Sequence, residues 1–358
     1  MESSNKKLAA MRNKNKDEYI NTLVKTGNSL LAILLAFAIC GIMVVFSGEN
    51  PFSAYGVLLK GAFGSGSAWI NTIRYAIPIV LLAFSFALCD RCGYFNISQE
   101  SQMYSSALMM VMVSEWTVGW PTFIRVVLII LSACVAGAVA CLIPAIAKFK
   151  LGGSEIVVGV MMNYLMAYLN KHMIAFSFIA KLGGASMMSY EIPEHMSPSF
   201  IFITVVIIIA IYQFMMRKTI PGYRLTVVGK NPVFSEACGI PSVKVMLTSA
   251  ALGGLLVGIC TVGEMLGYYH IIYANFAANI GFNGMTAALL GSGGPIGMVL
   301  GAVLLGALKS GSVLLAVLTS VPTELVDCVQ GFVMFFATIS IINPKWFIRS
   351  SKASKKEV

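Results

Sequence analysis

The chain has 358 residues, 58% of them hydrophobic and only 11% charged, with a mean hydropathy of +0.82. Soluble domains carry about 25% charged residues, so this composition excludes an ordinary soluble enzyme and marks an integral membrane protein. The apolar runs are unbroken, which excludes an outer-membrane barrel, and the net charge of +10 gathers in four loop-like places rather than in a nucleic-acid footprint.

The fold expected is all-α and polytopic, with about ten transmembrane helices, some short or broken, over residues 28–343. Residues 1–27 form a basic arm with Lys6, Lys7, Arg12, Lys14, Lys16 and Lys25. No signal peptide is evident, because the first apolar run is long enough to remain as an anchor. Span 28–47 goes outward, 70–89 returns, and 96–113 goes out to an interface marked by Glu115, Trp116 and Trp120. Span 122–147 returns to Lys148 and Lys150, and 155–178 goes out again. An external loop over 181–198 holds Gly183, Gly184 and Pro193. Span 199–216 comes in to Arg217 and Lys218, and 245–268 goes out. Two shorter segments, 280–291 and 295–312, flank Gly291–Gly294; 323–342 is the last span, and 344–358 is a basic tail with Lys345, Arg349, Lys352, Lys355 and Lys356. Cationic loops stay in the cytoplasm, so both termini are expected there, which requires an even number of crossings.

Residues 217–244 form a polar, basic loop with Arg217, Lys218, Arg224, Lys230 and Lys244. Within it Asn231 suits a helix cap, Pro232 a first helical position, Gly239 a left-handed stop, and Pro241 bars continuation. A helix this short, about 10 Å long, is not stable alone and must dock. Val233, Phe234, Ala237 and Cys238 would share one face, with Ser235 and Glu236 pointing elsewhere. A docking helix on the inner surface suggests a machine driven by another subunit.

Two places read as broken helices, 93–102 and 275–295, each with a Phe-Asn step: Phe95-Asn96 and Phe282-Asn283. Paired interruptions suggest two pseudo-related halves around a central pathway. Asn96, Ser98, Gln99 and Gln102 crowd the first, Asn275, Asn279 and Asn283 the second, and Asn163 sits within a span. Amides donate and accept, so they suit a neutral, hydroxyl-rich cargo. For any of them singly, interhelical hydrogen bonding, worth about 0.6 kcal/mol, is the plainer reading. Carboxylates at membrane depth cost about 2.5–3.5 kcal/mol, which singles out Glu100, Glu155, Glu264, Glu324 and Asp327. At helix starts, Glu100, Glu155, Glu324 and Asp327 also suit the dipole.

Gly254 with Gly258, and Gly297 with Gly301, let helices approach closely; packing within the chain is favoured over a dimer interface. Cys89-x-x-Cys92 lacks a second pair or nearby histidines and does not read as a metal or redox site. His172, His195 and His270 are scattered, and there is no phosphate-cradling loop ending in Gly-Lys-Ser/Thr, so no enzyme, bound cofactor or metal is expected.

Several motifs in order resemble the permease subunits of bacterial ABC importers for simple sugars and nucleosides, in the ribose-type branch. They are Phe95-Asn96-Ile97 with Glu100 and Gln102; Glu155-Ile156-Val157 leading to Met162-Asn163-Tyr164; Gly222 through Gly239-Ile240; and Gly281-Phe282-Asn283-Gly284 through Ala288–Gly291 to Pro295-Ile296-Gly297. Ser98 and Ser101 stand where relatives commonly have glycine. The resemblance implies a multi-pass protein of the bacterial cytoplasmic membrane that passes a nucleoside or simple sugar. It implies a second, homologous permease chain, a cytoplasmic ATPase subunit with two nucleotide domains holding ATP-Mg, and an extracytoplasmic substrate-binding lipoprotein. A pathway would involve Phe95, Asn96, Ser98, Gln99, Glu100, Gln102, Asn163, Asn279, Phe282 and Asn283. Coupling to the ATPase would run through Asn231, Pro232, Phe234, Glu236 and Gly239. Two other readings stay open: an ion-coupled secondary transporter using Glu100 or Glu264, and an ABC permease for branched-chain amino acids. A channel-like or structural protein would leave the docking helix unexplained.

Overall fold

The computed structural model of the chain describes residues 33–338 with Gly27 and Leu31, apart from 178, 181–187, 195, 292–293 and 320–322. The cations of the basic arm, the tail, Gly183, Gly184, His195 and the Glu324 side chain lie outside the described residues. The described part is helical. α1 is Ile33–Phe46, α2 Pro51–Phe63, α3 Gly66–Asp90, α4 Gln99–Trp116, α5 Thr122–Leu151 and α6 Glu155–Phe176. α7 is Pro198–Lys218, α8 Ile220–Lys230, α9 Pro232–Ala237 and α10 Ser242–Glu264, which runs on into a π-helical turn at Met265–Tyr269. α11 is Ile280–Leu290, α12 Pro295–Leu318 and α13 Thr323–Thr338.

The helices α3, α5, α7, α10 with its π turn, and α12 are long and apolar enough to cross a bilayer, and the α1–α2 pair, bent by 116°, adds a sixth such unit. α4 and α6 are more polar, and α11 and α13 shorter. The chain is thus a polytopic, all-helical membrane protein. Two helices had no counterpart in the sequence expectation. α2 has 13 residues, only about 20 Å of helix, too short to register as a span of about 30 Å. α8 lies inside the basic loop, where Arg224 and Lys230 mask its apolar face of Leu225 and Val228.

α3 is the axis. From Ala76 to Cys89 nearly every side chain is buried, as expected of a helix apolar on all sides. Two hydroxyls clamp it to α10: Ser85 donates to the Gly253 carbonyl at 2.8 Å, and Ser249 to the Leu88 carbonyl at 2.9 Å. α5 packs on α10 backbone to backbone. A Cβ on Gly254 would lie 2.3 Å from the Gly137 carbonyl oxygen, and one on Gly258 2.6 Å from that of Ala133. Gly297 packs on Gly291 and Gly301 on Ala287, so both small-residue spacings serve packing within the chain. α7 contributes an outward apolar face of Phe202, Ile203, Val206, Ile207, Ile211 and Phe214.

At one end of the bundle residues 188–194 and 196–197 strap the π turn and the segment after it. Ser189 donates its amide to Ile272 at 3.0 Å, Ile192 to His270 at 2.8 Å, and Met196 to Leu266 at 2.7 Å. Arg125, at the start of α5, anchors the strap through Glu194 at 2.7 Å, with both side chains largely buried.

Candidate functional site

The first break follows from local chemistry. Gly93 takes a left-handed conformation, φ +76°, and ends α3. Tyr94 buries its ring and donates to the Cys141 carbonyl at 3.3 Å, and Phe95 packs edge-on against Phe86 with centroids 5.0 Å apart. Lys148 holds the same turn from the side, donating to the Gly93 carbonyl at 2.5 Å and pairing with Glu155 at 2.5 Å. Glu155 therefore serves as an ion-pair partner at the start of α6.

Beyond the break α4 starts without a side-chain cap of its own. Asn163 supplies one from α6. Its Oδ1 accepts from the Ser101 amide at 2.9 Å, and its Nδ2 donates to the Ile97 carbonyl at 3.0 Å. One carboxamide thus satisfies a donor at the start of α4 and an acceptor in the break. Asn96 accepts on Oδ1 from Gln102 at 2.8 Å and from Ser98 at 3.0 Å, and Gln99 donates to the Leu82 carbonyl at 2.8 Å. Asn96, Ser98, Gln99 and Gln102 are all buried.

The second break meets the first. His270, Asn275 and Asn279 have positive φ, the last at 64° just before α11. Asn279 is exposed, and its backbone amide faces the Glu100 carboxylate, which suits an anion at a helix N-terminus. A Cβ on Gly281 would lie 3.0 Å from Glu100 Cγ and 3.2 Å from Gln99 Cβ, and the Tyr104 and Phe276 rings stack edge-on at 5.1 Å. Phe282 is half-buried and Asn283 buried on α11. The residues of the two Phe-Asn segments thus come together at the starts of α4 and α11. Among the described residues, four of their buried polar atoms have no hydrogen-bond partner: Asn96 Nδ2, Gln99 Oε1, Glu100 Oε1 and Gln102 Oε1. Each costs about 1–3 kcal/mol unpaired, so concentrating four in one place is expensive for a purely structural core.

Other candidates lie apart from this meeting point. Glu264 is buried on α10 with Arg74 as its charge partner, and Arg74 sits over the Tyr268 ring at 4.3 Å. Asp327 on α13 pairs with Lys309 on α12 at 3.2 Å.

The short capped helix takes the expected form. Asn231 Oδ1 accepts from the Phe234 amide at 3.0 Å, Pro232 opens α9, and Gly239 stops it at φ +78°. Ile240 returns its amide to the Ser235 carbonyl at 2.9 Å, closing a Schellman-type end. Ser235 is buried and donates to the Pro232 carbonyl within α9 at 2.7 Å, while Glu236 accepts from the Ser242 hydroxyl and ties α9 to the start of α10. Val233 and Phe234, 78% and 59% exposed, project outward with Ala237 and Cys238.

Sequence reasoning missed what joins α9 to the break. α8 lies against the turn after α3: a Cβ on Gly229 would meet the Arg91 carbonyl oxygen, and the Cys92 thiol reaches the Leu225 carbonyl at 3.9 Å. The available signal was Thr219 followed by Pro221, a capping residue just before a helix-starting proline; Thr219 indeed accepts from the Gly222 amide at 3.5 Å.

Comparison with known proteins adds the following. The family described as branched-chain amino acid transport system / permease component matches residues 68–338. The nucleoside ABC transporter permease protein NupB of Lactococcus lactis is 28% identical, over 92% of this chain and 96% of its own. The guanosine ABC transporter permease protein NupP of Bacillus subtilis is 30% identical, over 87% of this chain and 92% of its own. The glucose ABC transporter permease protein TsgB13 of Haloferax volcanii is 27% identical, over 88% and 87%. The same Lactococcus and Bacillus strains each have a further relative, NupC and NupQ, both 27% identical, over 67% and 68% of this chain. No solved structure matches the chain.

Proposed function

The chain belongs to the branched-chain amino acid transport system / permease component family, and from that premise we propose how it works as the permease subunit of an ABC importer for a nucleoside or simple sugar. The ATP-hydrolysing site belongs to a separate chain. The family sets aside an ion-coupled secondary transporter. Cargo of the nucleoside or sugar class is favoured over a branched-chain amino acid by the relatives named for nucleosides, guanosine and glucose. It is favoured too by the site's chemistry, since three unpaired acceptors and one unpaired donor at the meeting of α4 and α11 suit hydroxyls and base edges.

The single observation that carries the mechanism is the backbone contact of Gly229 with Arg91, because it joins α9 to the break that starts at Gly93. A cytoplasmic ATPase subunit with two nucleotide domains, holding ATP-Mg, seats the Val233–Phe234 face. Its closure moves α9 and α8, α8 moves the turn at Arg91–Gly93, and the starts of α4 and α11 part around the cargo. The route is lined by Phe95, Asn96, Ser98, Gln99, Glu100, Gln102, Asn163, Asn279, Phe282 and Asn283. The second wall is a homologous, different permease, as the NupB–NupC and NupP–NupQ pairs suggest. An extracytoplasmic binding lipoprotein delivers the cargo. The basic arm (1–27), the 217–244 loop and the tail (344–358) then lie in the cytoplasm, with the permease domain over 28–343.

The test is Gly239→Val. The left-handed φ at this position strains any β-branched residue. The variant inserts in the membrane at wild-type level and loses cargo uptake. Undiminished uptake would sink the coupling role of α9.

A further inference from the structure

The end of the bundle that carries α8 and α9 holds a groove of about 740 Å³ between the last turns of α5 and the first turns of α10. Its floor and walls are apolar, formed by Leu142, Ile146, Leu247 and Ala251, and two lysines, Lys150 and Lys244, stand at its mouth. Both lysines are exposed and have no ion-pair partner among the described residues, unlike Lys148 beside them, which is committed to Glu155 and Gly93. Lys244 lies in the first turn of α10, where a cation opposes the helix dipole, so its placement there does not serve the helix. The carboxylate in the groove, Glu236, is already engaged by the Ser242 hydroxyl.

An apolar trough at the end of two membrane-spanning helices, with free cations at its rim, is complementary to one chemistry: an acyl chain below and a phosphate above. Basic pockets between helices on the cytoplasmic side of membrane proteins take anionic headgroups in this way. We propose that the α5–α10 groove is a binding site for an anionic phospholipid, with Lys150 and Lys244 on its phosphate and its chain along Leu142, Ile146, Leu247 and Ala251. Because Glu236 of α9 borders the groove, the bound lipid braces the docking helix from its inner side. The proposal rests on the reading that residues 217–244 face the cytoplasm, where anionic lipid is enriched.

The experiment is native mass spectrometry of the full chain in mild detergent, titrated with phosphatidylglycerol or phosphatidylcholine. Phosphatidylglycerol is retained and phosphatidylcholine is not. Lys150→Gln and Lys244→Gln each weaken retention about fivefold and the pair roughly twenty-five-fold, the loss expected for one near-surface cation each. Ala251→Trp, which fills the trough and keeps both lysines, also loses the lipid, whereas Lys60→Gln, on α2, retains it. Full retention in the double lysine variant overturns the site, as does an equal loss in Lys60→Gln, which means diffuse charge. Displacement by inorganic phosphate alone overturns the lipid assignment. A double variant that keeps the lipid but no longer co-purifies with its ATPase assigns the groove to that protein instead. The cytoplasmic reading is tested apart in a Cys328→Ser background, which removes the other exposed thiol: Cys238, exposed at the end of α9, is labelled by a membrane-impermeant maleimide only after cells are opened. Labelling in intact cells defeats the orientation while leaving the detergent titration intact.

Discussion

Gly229 on α8 and Arg91 at the end of α3 touch through their backbones, so closely that a Cβ on the glycine would fall 1.8 Å from the arginine carbonyl oxygen. The contact sits two residues before the left-handed Gly93 that opens the first break. α8 thereby ties α9 to the turn that leads into the polar cluster.

Gly229→Ala should separate α8 from that turn. Overpacking of this kind costs about 1–3 kcal/mol. The variant is expected to insert normally, to unfold at lower temperature in detergent, and to lose most uptake. Wild-type uptake together with a lowered unfolding midpoint would mean the contact is structural only.

Asn163 bridges α6 to the start of α4. Asn163→Leu leaves the Ile97 carbonyl and the Ser101 amide without partners, at about 1–3 kcal/mol each. Thermal unfolding of wild type and variant in one detergent gives the loss. A Leu variant that unfolds with wild type would argue against the two-sided cap.

How much of this was legible in the residues depends on whether the determinant was local. The caps at Asn231 and Gly239 are properties of a few consecutive residues, and α9 came out as they dictate. The outward face of Val233 and Phe234 followed from helical spacing alone. The polar cluster was visible as composition, but its partners were not. That Asn163 faces Ile97 and Ser101, 66 and 62 residues away, is set by how α4 and α6 pack. α2 escaped because a sequence scan tuned to bilayer-length runs passes over 13 residues broken by Gly56, Lys60 and Gly61.

The strap at the other end offers a third measurement. Arg125 and Glu194 are an ion pair largely removed from solvent. Deleting one partner, as in Arg125→Met, strands a buried charge and should cost about 3–5 kcal/mol. Arg125→Met combined with Glu194→Leu should recover most of that loss. A double variant as unstable as the sum of the singles would show that the pair does not hold the strap.

Gly254→Val would drive a side chain into the Gly137 carbonyl. The expected outcome is a steep fall in the yield of monodisperse protein after detergent extraction, with the same membrane targeting. A comparable substitution at Gly56, where added carbon meets nothing within 4 Å, should be tolerated.

The Gly137–Gly254 and Ala133–Gly258 contacts also decide how the molecule is able to deform. Two helices seated carbonyl against Cα along successive turns cannot slide without one backbone climbing over the other, so α5 and α10 travel as a single beam, with α3 bolted to it by Ser85 and Ser249. The give in the machine then has to come from what hangs on that beam: the thinly covered α7, the α8–α9 hairpin, and the short helices on either side of the breaks.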